Sequence, residues 1–251
     1  MVTSTIDDVG DTLTAEHVAA LSRSLREHGY AYLRGIHAGF DHPAEILRLG
    51  DYVPQYQGQL IRDVKPDPVM EEAEVSANNM KALTPHTECF EYSGQPPRCV
   101  ALWCVRPTAG PGGETTLADG HAFLHTFSER DVRLMYSRVF EWRSPASLGL
   151  SGISMAARHP ILSAEPDGLL MRYSSREMYQ IEPAHDDLYQ RYVMGGIRFF
   201  ADRRTAVAIE RNALLIWDNW RIIHSRNAFS DPRRHLARIM FTPRPGWGFP
   251  G

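Results

Sequence analysis

The chain has 251 residues, 43% of them hydrophobic, and its 27 basic and 30 acidic side chains give a formal charge of −3. This length and composition predict one large core and a single domain over residues 1–251. The near-neutral balance, without a Lys/Arg block, excludes the basic surface typical of nucleic-acid binding, so we expect a small-molecule partner. The sequence carries no signal for an oligomeric state.

Membrane and export features are not found in the sequence. No apolar run approaches the roughly 20 residues that cross a bilayer. Residues 1–14 are polar and acidic, unlike the basic and then apolar start of an export signal. The 3 cysteines, an odd number, indicate reduced thiols rather than a disulfide framework. We therefore expect a cytoplasmic protein with no membrane partner.

The N-terminal part predicts a helix, then a strand, then a second and shorter helix. Apolar residues recur at helical spacing over 15–28, directly after Thr14, whose side chain suits the N-cap of a helix. Residues 30–35 alternate as a strand, and 43–50 have the pattern of a short helix. We expect this lead-in, about residues 14–50, to cover one end of a barrel.

Extended segments dominate the rest of the chain. Residues 55–74 are irregular and rich in proline and charge, which indicates a loop that could act as a lid. Glycine, serine and methionine in 146–157 predict another loop. We expect strands at 97–105, 139–143, 169–174, 213–217 and 234–241, and a glycine turn that leads into another extended piece within 112–119. We expect helices at 121–139 and, as an insertion, at about 184–204.

This order of elements predicts a fold that is mainly β with flanking helices. A double-stranded β-helix, or jelly roll, satisfies it, because that architecture brings strands that are distant in sequence next to each other. A mixed α/β fold is the alternative.

The most informative motif is the triplet His86-Thr87-Glu88. Side chains two apart on an extended strand project to the same side, so His86 and Glu88 can converge on one ion while Thr87 faces away. His224, at the end of the sequence Asp-Asn-Trp-Arg-Ile-Ile-His, offers a third ligand, which Asp218 could orient. Two imidazoles and one carboxylate form the facial set that binds Fe(II) and leaves three positions open.

Two arginines follow the distal histidine. Arg234 and Arg238 are four residues apart, so on a strand they share a face. A guanidinium pairs bidentately with a carboxylate, which makes Arg234 a candidate anion ligand; the alternative is a solvent-facing strand arginine. Arg238 could contact a substrate anion or form a structural ion pair. Asn79, upstream of the triplet, could line a substrate cavity, although turn-forming asparagines are common.

A second histidine pair and several other motifs carry less weight. His121 and His125 are one helical turn apart, a spacing that can bind zinc, but the glutamate that a zinc protease needs beside the first histidine is missing. We interpret them as a surface or packing pair. The sequence contains no G-x-S-x-G, Walker or G-x-G-x-x-G motif, so hydrolase and nucleotide-binding functions have no support.

With these motifs in this order, the chain resembles the Fe(II)- and 2-oxoglutarate-dependent dioxygenases of the taurine dioxygenase and clavaminate synthase type. The sequence around the distal histidine and the Arg-His-Leu motif are also similar to those of gamma-butyrobetaine hydroxylase. The resemblance runs from about Asn78 to Phe241. It implies that iron is bound at the catalytic residues His86, Glu88 and His224, that Thr115 and Arg234 bind the far carboxylate of 2-oxoglutarate, and that a substrate anion lies near Arg238.

The resemblance also implies a reaction. Fe(II), 2-oxoglutarate and O2 would hydroxylate an unactivated C–H bond of a small polar metabolite with a carboxylate, a free amino acid or amino-acid derivative being preferred, with release of succinate and CO2. Glu88 favours hydroxylation over halogenation, because halogenases of this family have a small residue there; desaturation and cyclisation stay open. The alternatives are a metal-dependent jelly-roll isomerase or epimerase and a non-catalytic ligand-binding barrel.

Overall fold

The computed structural model describes residues 4–181 and 187–245 and shows a mainly β architecture with flanking helices, as predicted. The strands are β1 (Thr5–Ile6), β2 (Tyr30–Leu33), β3 (Gly50–Tyr52), β4 (Ile61–Val64), β5 (Cys99–Arg106), β6 (Thr115–Asp119), β7 (Val139–Arg143), β8 (Ala156–Pro160), β9 (Leu162–Glu165), β10 (Gly168–Met171), β11 (Met178–Gln180), β12 (Thr205–Val207), β13 (Leu214–Asp218), β14 (Ile222–Arg226) and β15 (His235–Pro243). The helices are α1 (Ala15–His28), α2 (His42–Leu49), α3 (Gly120–Leu124), α4 (Glu129–Ser137), α5 (Ala146–Gly149) and α6 (Leu188–Arg203), with short 3-10 turns at Tyr56–Gly58 and Pro68–Met70.

Two sheets position the functional site. The larger has seven strands in the order β1-β2-β13-β5-β15-β3, and β4 also pairs with β15. The smaller has three strands in the order β12-β6-β14. Antiparallel pairing joins β13 to β5 and β5 to β15, so the central strands of the large sheet come from distant parts of the chain.

Strand β13 shows why the central strands of the large sheet have continuous apolar sequences. Leu214 and Ile216 face the outer side of the large sheet, where they join a core cluster with Leu21 of α1. Leu215 and Trp217 face the inner side and belong to a cluster that includes residues of the small sheet. Both faces are therefore buried, and each buried large side chain contributes about 1.5–3 kcal/mol.

The N-terminal lead-in differs from its predicted position. Helix α1 has the predicted bounds and the predicted cap, because the Thr14 side chain accepts a hydrogen bond from His17 N, and it ends at Gly29 in the left-handed conformation. Strand β2, however, does not cover the end of a barrel. It pairs with β13 inside the large sheet, and α1 packs on the outer face of that sheet.

Three other segments also depart from their predictions. The helix predicted over 121–139 is two helices, because Ser128 caps a new one by accepting a hydrogen bond from Asp131 N. The predicted loop 55–74 contains strand β4, and the predicted loop 146–157 contains the short helix α5. The insertion helix is present as α6; the part of its prediction that covers 184–186 lies outside the described residues.

All three cysteines are buried free thiols, and Cys89 packs in the inner core cluster. Across residues 4–181 and 187–245, we find no helix with the length and apolar character needed to span a bilayer.

Candidate metal centre

The three predicted metal ligands lie together. One nitrogen of His86, one of His224 and a carboxylate oxygen of Glu88 are all within 4.8 Å of one another. The Glu88 Oε1 atom is 3.3 Å from His224 Nε2 and 3.9 Å from His86 Nε2. Two ligands about 2.1 Å from one metal ion and at right angles to each other lie about 3 Å apart, so only small movements would bring these donors into coordination.

Backbone pairing brings the two histidines together. His86 N donates to His224 O at 3.0 Å, and His224 N donates to His86 O at 2.8 Å, so a single antiparallel bridge joins the triplet to β14. The His86 Nδ1 atom lies 2.8 Å from Thr84 O. A proton on Nδ1 satisfies that carbonyl and leaves the lone pair of Nε2 directed at the cluster, which is the arrangement that a histidine ligand needs.

A turn, and not the alternation of side chains along a strand, positions Glu88 in the cluster. Residues 88–91 form a turn rather than an extended strand, and Cys89 has a φ of 57°. The predicted convergence of His86 and Glu88 is present, but the predicted strand geometry behind it is wrong. Thr87 does face away, and its hydroxyl accepts a hydrogen bond from Tyr173 N at 3.1 Å.

Asn219 fixes the backbone of Glu88. Its Oδ1 accepts from Glu88 N at 2.6 Å, and its Nδ2 donates to Glu88 O and to Pro97 O, both at 3.0 Å. Asn219 was not identified from the sequence, where its neighbour Asp218 was the candidate for orienting His224. Asp218 forms an ion pair with Arg98 at 2.9 Å. Both residues belong to the same Asp-Asn motif, so the motif was the available signal.

Burial and neighbouring charges keep Glu88 and His224 in the protonation states that a metal requires. Burial alone would raise the pKa of Glu88, but Arg238 and the two histidines outweigh burial and hold that pKa well below its usual value. Burial lowers the pKa of His224 to about 4, with repulsion from His86 adding to the effect. Burial would also lower the pKa of His86, but its interaction with Glu88 raises it overall. Glu88 is therefore anionic and His224 neutral near pH 7.

A cavity of about 110 Å³ opens beside the three ligands, between the two sheets. Arg62, Trp217 and Arg238 of the large sheet line it on one side, while Thr115 and His224 come from the small sheet. The Trp217 ring centroid is 4.9 Å from that of His224.

Positive charge dominates the lining of this cavity. Four arginines line it, whereas among the described lining residues Glu88 is the only carboxylate. The four are Arg62, Arg226, Arg234 and Arg238. A buried guanidinium needs an anion or hydrogen-bond acceptors, so this cavity is suited to anionic ligands.

Arg234 is buried with part of its hydrogen-bonding capacity unused. Its Nη2 donates to Gly113 O at 2.7 Å, and its Nη1 has no hydrogen-bond partner among the described residues. Burial lowers its pKa to about 10, so it stays charged at neutral pH. Gly113 lies so close that a Cβ atom there would be 2.9 Å from Arg234 Nε, which explains a glycine two residues before Thr115, the other predicted cosubstrate residue.

Arg226 also lines the cavity and was not identified from the sequence. It follows His224 by two residues on β14, so strand alternation could have placed the two on one face. Asn79, predicted as a substrate contact, holds this arginine by accepting from Arg226 Nη2 at 3.1 Å. Asn79 is not among the described residues that line the cavity, so the structure gives it a supporting position instead.

Arg238 lines the cavity and contacts a predicted metal ligand directly. Its Nη1 donates to Glu88 Oε1, and its Nε donates to Gln55 Oε1 at 2.8 Å. Gln55 in turn donates to the Arg238 carbonyl at 3.0 Å. The ion pair considered for Arg238 is therefore present, and the side chain also lines the cavity. Its contact with a substrate anion stays a prediction.

The alternative histidine pair does not form a comparable centre. In the described parts of the chain, the cluster of His86, Glu88 and His224 is the only group of three or more potential metal ligands, and His121 and His125 belong to no such group. Burial lowers the pKa of His121.

Comparison with known proteins identifies the family. The family described as "Taurine catabolism dioxygenase TauD, TfdA family" matches residues 4–240, so the chain belongs to this family. This confirms the resemblance found in the sequence and the predicted class, an Fe(II)- and 2-oxoglutarate-dependent dioxygenase. No curated protein matches the chain in sequence.

Several solved structures share the fold. An asparagine oxygenase in complex with Fe(II), 2S,3S-3-hydroxyasparagine and succinate is 20% identical with a TM-score of 0.68, over 94% of this chain and 89% of that one. The non-heme iron oxygenase OrfP in complex with Fe, succinate and (3S)-hydroxy-L-Arg is 17% identical with a TM-score of 0.68, over 92% and 82%. PvcB from Pseudomonas aeruginosa is 20% identical with a TM-score of 0.64, over 89% and 79%.

Proposed function

We propose that the protein hydroxylates a C–H bond of a small carboxylate-bearing metabolite, a free amino acid or amino-acid derivative, and releases succinate and CO2 from 2-oxoglutarate. The observation that carries this proposal is the convergence of His86, Glu88 and His224 beside a cavity that is also lined by Arg234, whose buried Nη1 has no hydrogen-bond partner among the described residues. A metal site and an anion site in one enclosure are what a metal-chelating dicarboxylate requires.

The donor set fits Fe(II). Two imidazole nitrogens and one carboxylate oxygen are the ligands of non-haem iron oxygenases, and no cysteine sulfur belongs to the cluster. When bound, the iron and the 2-oxo acid supply the oxidising chemistry with O2, while the protein positions the reacting C–H bond. Within the chain, Thr84 O orients the His86 ring and Asn219 fixes the Glu88 backbone, so two of the three ligands are held before any metal arrives.

Arg234 and Thr115 are the proposed ligands of the distal carboxylate of 2-oxoglutarate. Both are buried and line the cavity. Arg234 has a free N–H for the carboxylate, and a hydroxyl at Thr115 can donate a second bond. Because both side chains are buried, a charge-assisted bond there is stronger than it would be on the surface.

Charge and size support an amino-acid substrate. The four cavity arginines exceed the two carboxylates of 2-oxoglutarate, so positive charge remains for an anionic group of the substrate. A cavity of about 110 Å³ suits a compact ligand. The structures of an asparagine oxygenase and of the oxygenase OrfP that share this fold hold hydroxylated amino acids, which makes this substrate class the one to test first.

We also propose that the chain is one domain whose two facing sheets form a double-stranded β-helix. In support, β6 and β14 of the small sheet and β13 and β15 of the large sheet all contribute residues to one cavity. A shared interior between two antiparallel sheets is the arrangement expected of a jelly roll.

A screen of succinate release tests the function. The purified protein with Fe(II), 2-oxoglutarate and O2 is supplied with individual amino acids and small carboxylates. Succinate is quantified, and the masses of the products are determined by mass spectrometry. We expect at least one amino acid to stimulate succinate release and to gain one oxygen atom. A product that has lost two hydrogens would replace hydroxylation by desaturation or cyclisation, and conversion without 2-oxoglutarate would favour the isomerase alternative.

A further inference from the structure

Two cavity arginines face each other across neighbouring strands. Arg62 of β4 and Arg238 of β15 are direct register partners in an antiparallel pair. Side chains opposite each other in such a pair lie on the same face, about 4.5–5.5 Å apart at Cβ, and like charges in that position are destabilising. Both side chains line the cavity beside the metal ligands. This unfavourable pair is therefore placed where a ligand could relieve it.

The two arginines differ in their partners. Arg238 is paired with Glu88, whereas Arg62 donates to the neutral Asn78 Oδ1 at 3.1 Å and lies 5.6 Å from the centre of the Tyr56 ring. Among the described residues, Arg62 forms no ion pair with a carboxylate. Burial lowers its pKa, and the charge of Arg238 lowers it further. Arg62 is thus a cavity guanidinium that lacks a counter-ion.

The arginines form two separate pairs. Burial lowers the pKa of Arg226 and the charge of Arg234 lowers it further, just as burial and then the charge of Arg238 lower the pKa of Arg62. Arg234 is assigned to 2-oxoglutarate in the proposed function, and the other end of that molecule chelates the metal. The pair of Arg62 and Arg238 is left for another anion.

We propose that Arg62 is a specificity-determining residue that, together with Arg238, binds the carboxylate of the substrate. A carboxylate between the two guanidiniums neutralises the cross-strand repulsion and provides Arg62 with the counter-ion that it lacks. The inference rests on the proposed function for the assignment of Arg234 to the cosubstrate. It extends that function by requiring a free carboxylate on the substrate, so amides and esters of the same compounds should be rejected.

A binding experiment tests this without turnover. The protein is loaded anaerobically with Fe(II) and 2-oxoglutarate, and calorimetry measures its affinity for a panel of L-amino acids and their carboxamides. We expect at least one amino acid to bind and its carboxamide to bind about 10- to 100-fold more weakly, the effect of losing a charged hydrogen-bonded pair. Equal binding of acids and carboxamides, or no binding of any amino acid to the wild type, overturns the proposal.

Variants assign the effect to Arg62. Arg62→Gln should lose about 10- to 100-fold in affinity for the acid and little for the carboxamide, and Arg62→Lys should fall between it and the wild type. The matched control is Lys65→Gln, which removes a charge just beyond the same strand from a side chain that is 54% exposed. If Arg62→Gln, with a wild-type melting curve, binds the acid as tightly as Lys65→Gln does, the proposal is wrong.

The same experiment separates this inference from the proposed function. If Fe(II) and 2-oxoglutarate fail to bind, the proposed function fails. The difference between acid and carboxamide, measured on the metal-free wild type and Arg62→Gln, still decides whether Arg62 binds carboxylates.

Discussion

Replacing Arg234 by glutamine should weaken 2-oxoglutarate binding while leaving the metal site in place. The change removes the charge and the free Nη1 but keeps a side chain that can still donate to Gly113 O. A hydrogen bond to a charged group contributes about 1.5–3 kcal/mol, and about 1.4 kcal/mol corresponds to a factor of ten, so the dissociation constant should rise about 10- to 150-fold. Iron affinity should stay the same, because Arg234 is not among the three clustered ligands.

Anaerobic calorimetry with Fe(II)-loaded protein measures this dissociation constant directly. The adjacent Arg233 provides a matched control, since its side chain is 58% exposed and pairs with Asp231. Arg233→Gln should bind 2-oxoglutarate like the wild type. If Arg234→Gln, folded and loaded with iron, bound 2-oxoglutarate with wild-type affinity, the assignment of Arg234 to the cosubstrate would be refuted.

Further predictions concern the ligands, their support and the stability of the fold. His224→Ala should bind no stoichiometric iron in metal analysis, whereas His125→Ala should bind iron normally; equal iron contents would contradict the ligand assignment. Asn219→Ala, which frees the backbone of Glu88, should weaken Fe(II) binding about 10- to 100-fold in competition with a chelator, and unchanged affinity would show that the turn holds Glu88 without it. His42 is buried with a lowered pKa, chiefly because of burial, so the unfolded chain takes up a proton at a higher pH than the folded one. Stability should therefore fall as the pH drops below about 6.5, and urea unfolding of His42→Gln should show a shallower decline; identical slopes would exclude His42 as the cause.

Local sequence signals predicted the elements that depend on local physics. Helix α1 was predicted to the residue, because Thr14 and Gly29 determine its two ends. Strands β5 and β13 were recognisable because both of their faces are buried, which produces long apolar runs.

Features that depend on tertiary contacts were missed. The sequence around β4 is rich in proline and charge, as in a loop, and the segment is a strand because it pairs with β15. Neither β4 nor the position of Arg62 could therefore be predicted from the local sequence. The turn at Glu88 requires a positive φ at Cys89, a conformation that a non-glycine residue adopts only when its surroundings impose it. Arg226 and Asn219 went unnoticed because a polar residue in a motif does not reveal whether it will be buried.

The sequence motifs nevertheless predicted which three side chains would cluster. His224 is more than a hundred positions away from His86 and Glu88, and the convergence of the three was predicted from the resemblance and from the chemistry of the donor set. Motifs do not predict which way a side chain turns, as Asn79 shows. Its position near the triplet suggested that it lines the cavity, but its side chain accepts a hydrogen bond from Arg226.

The most direct test of the central claim is the visible spectrum of the protein after anaerobic addition of Fe(II) and 2-oxoglutarate. If the three clustered side chains hold iron and leave adjacent positions for the keto acid, the wild type should develop the weak charge-transfer band of a chelated 2-oxo acid, and His224→Ala should not. A wild-type sample that stays colourless with both components saturating would contradict the account.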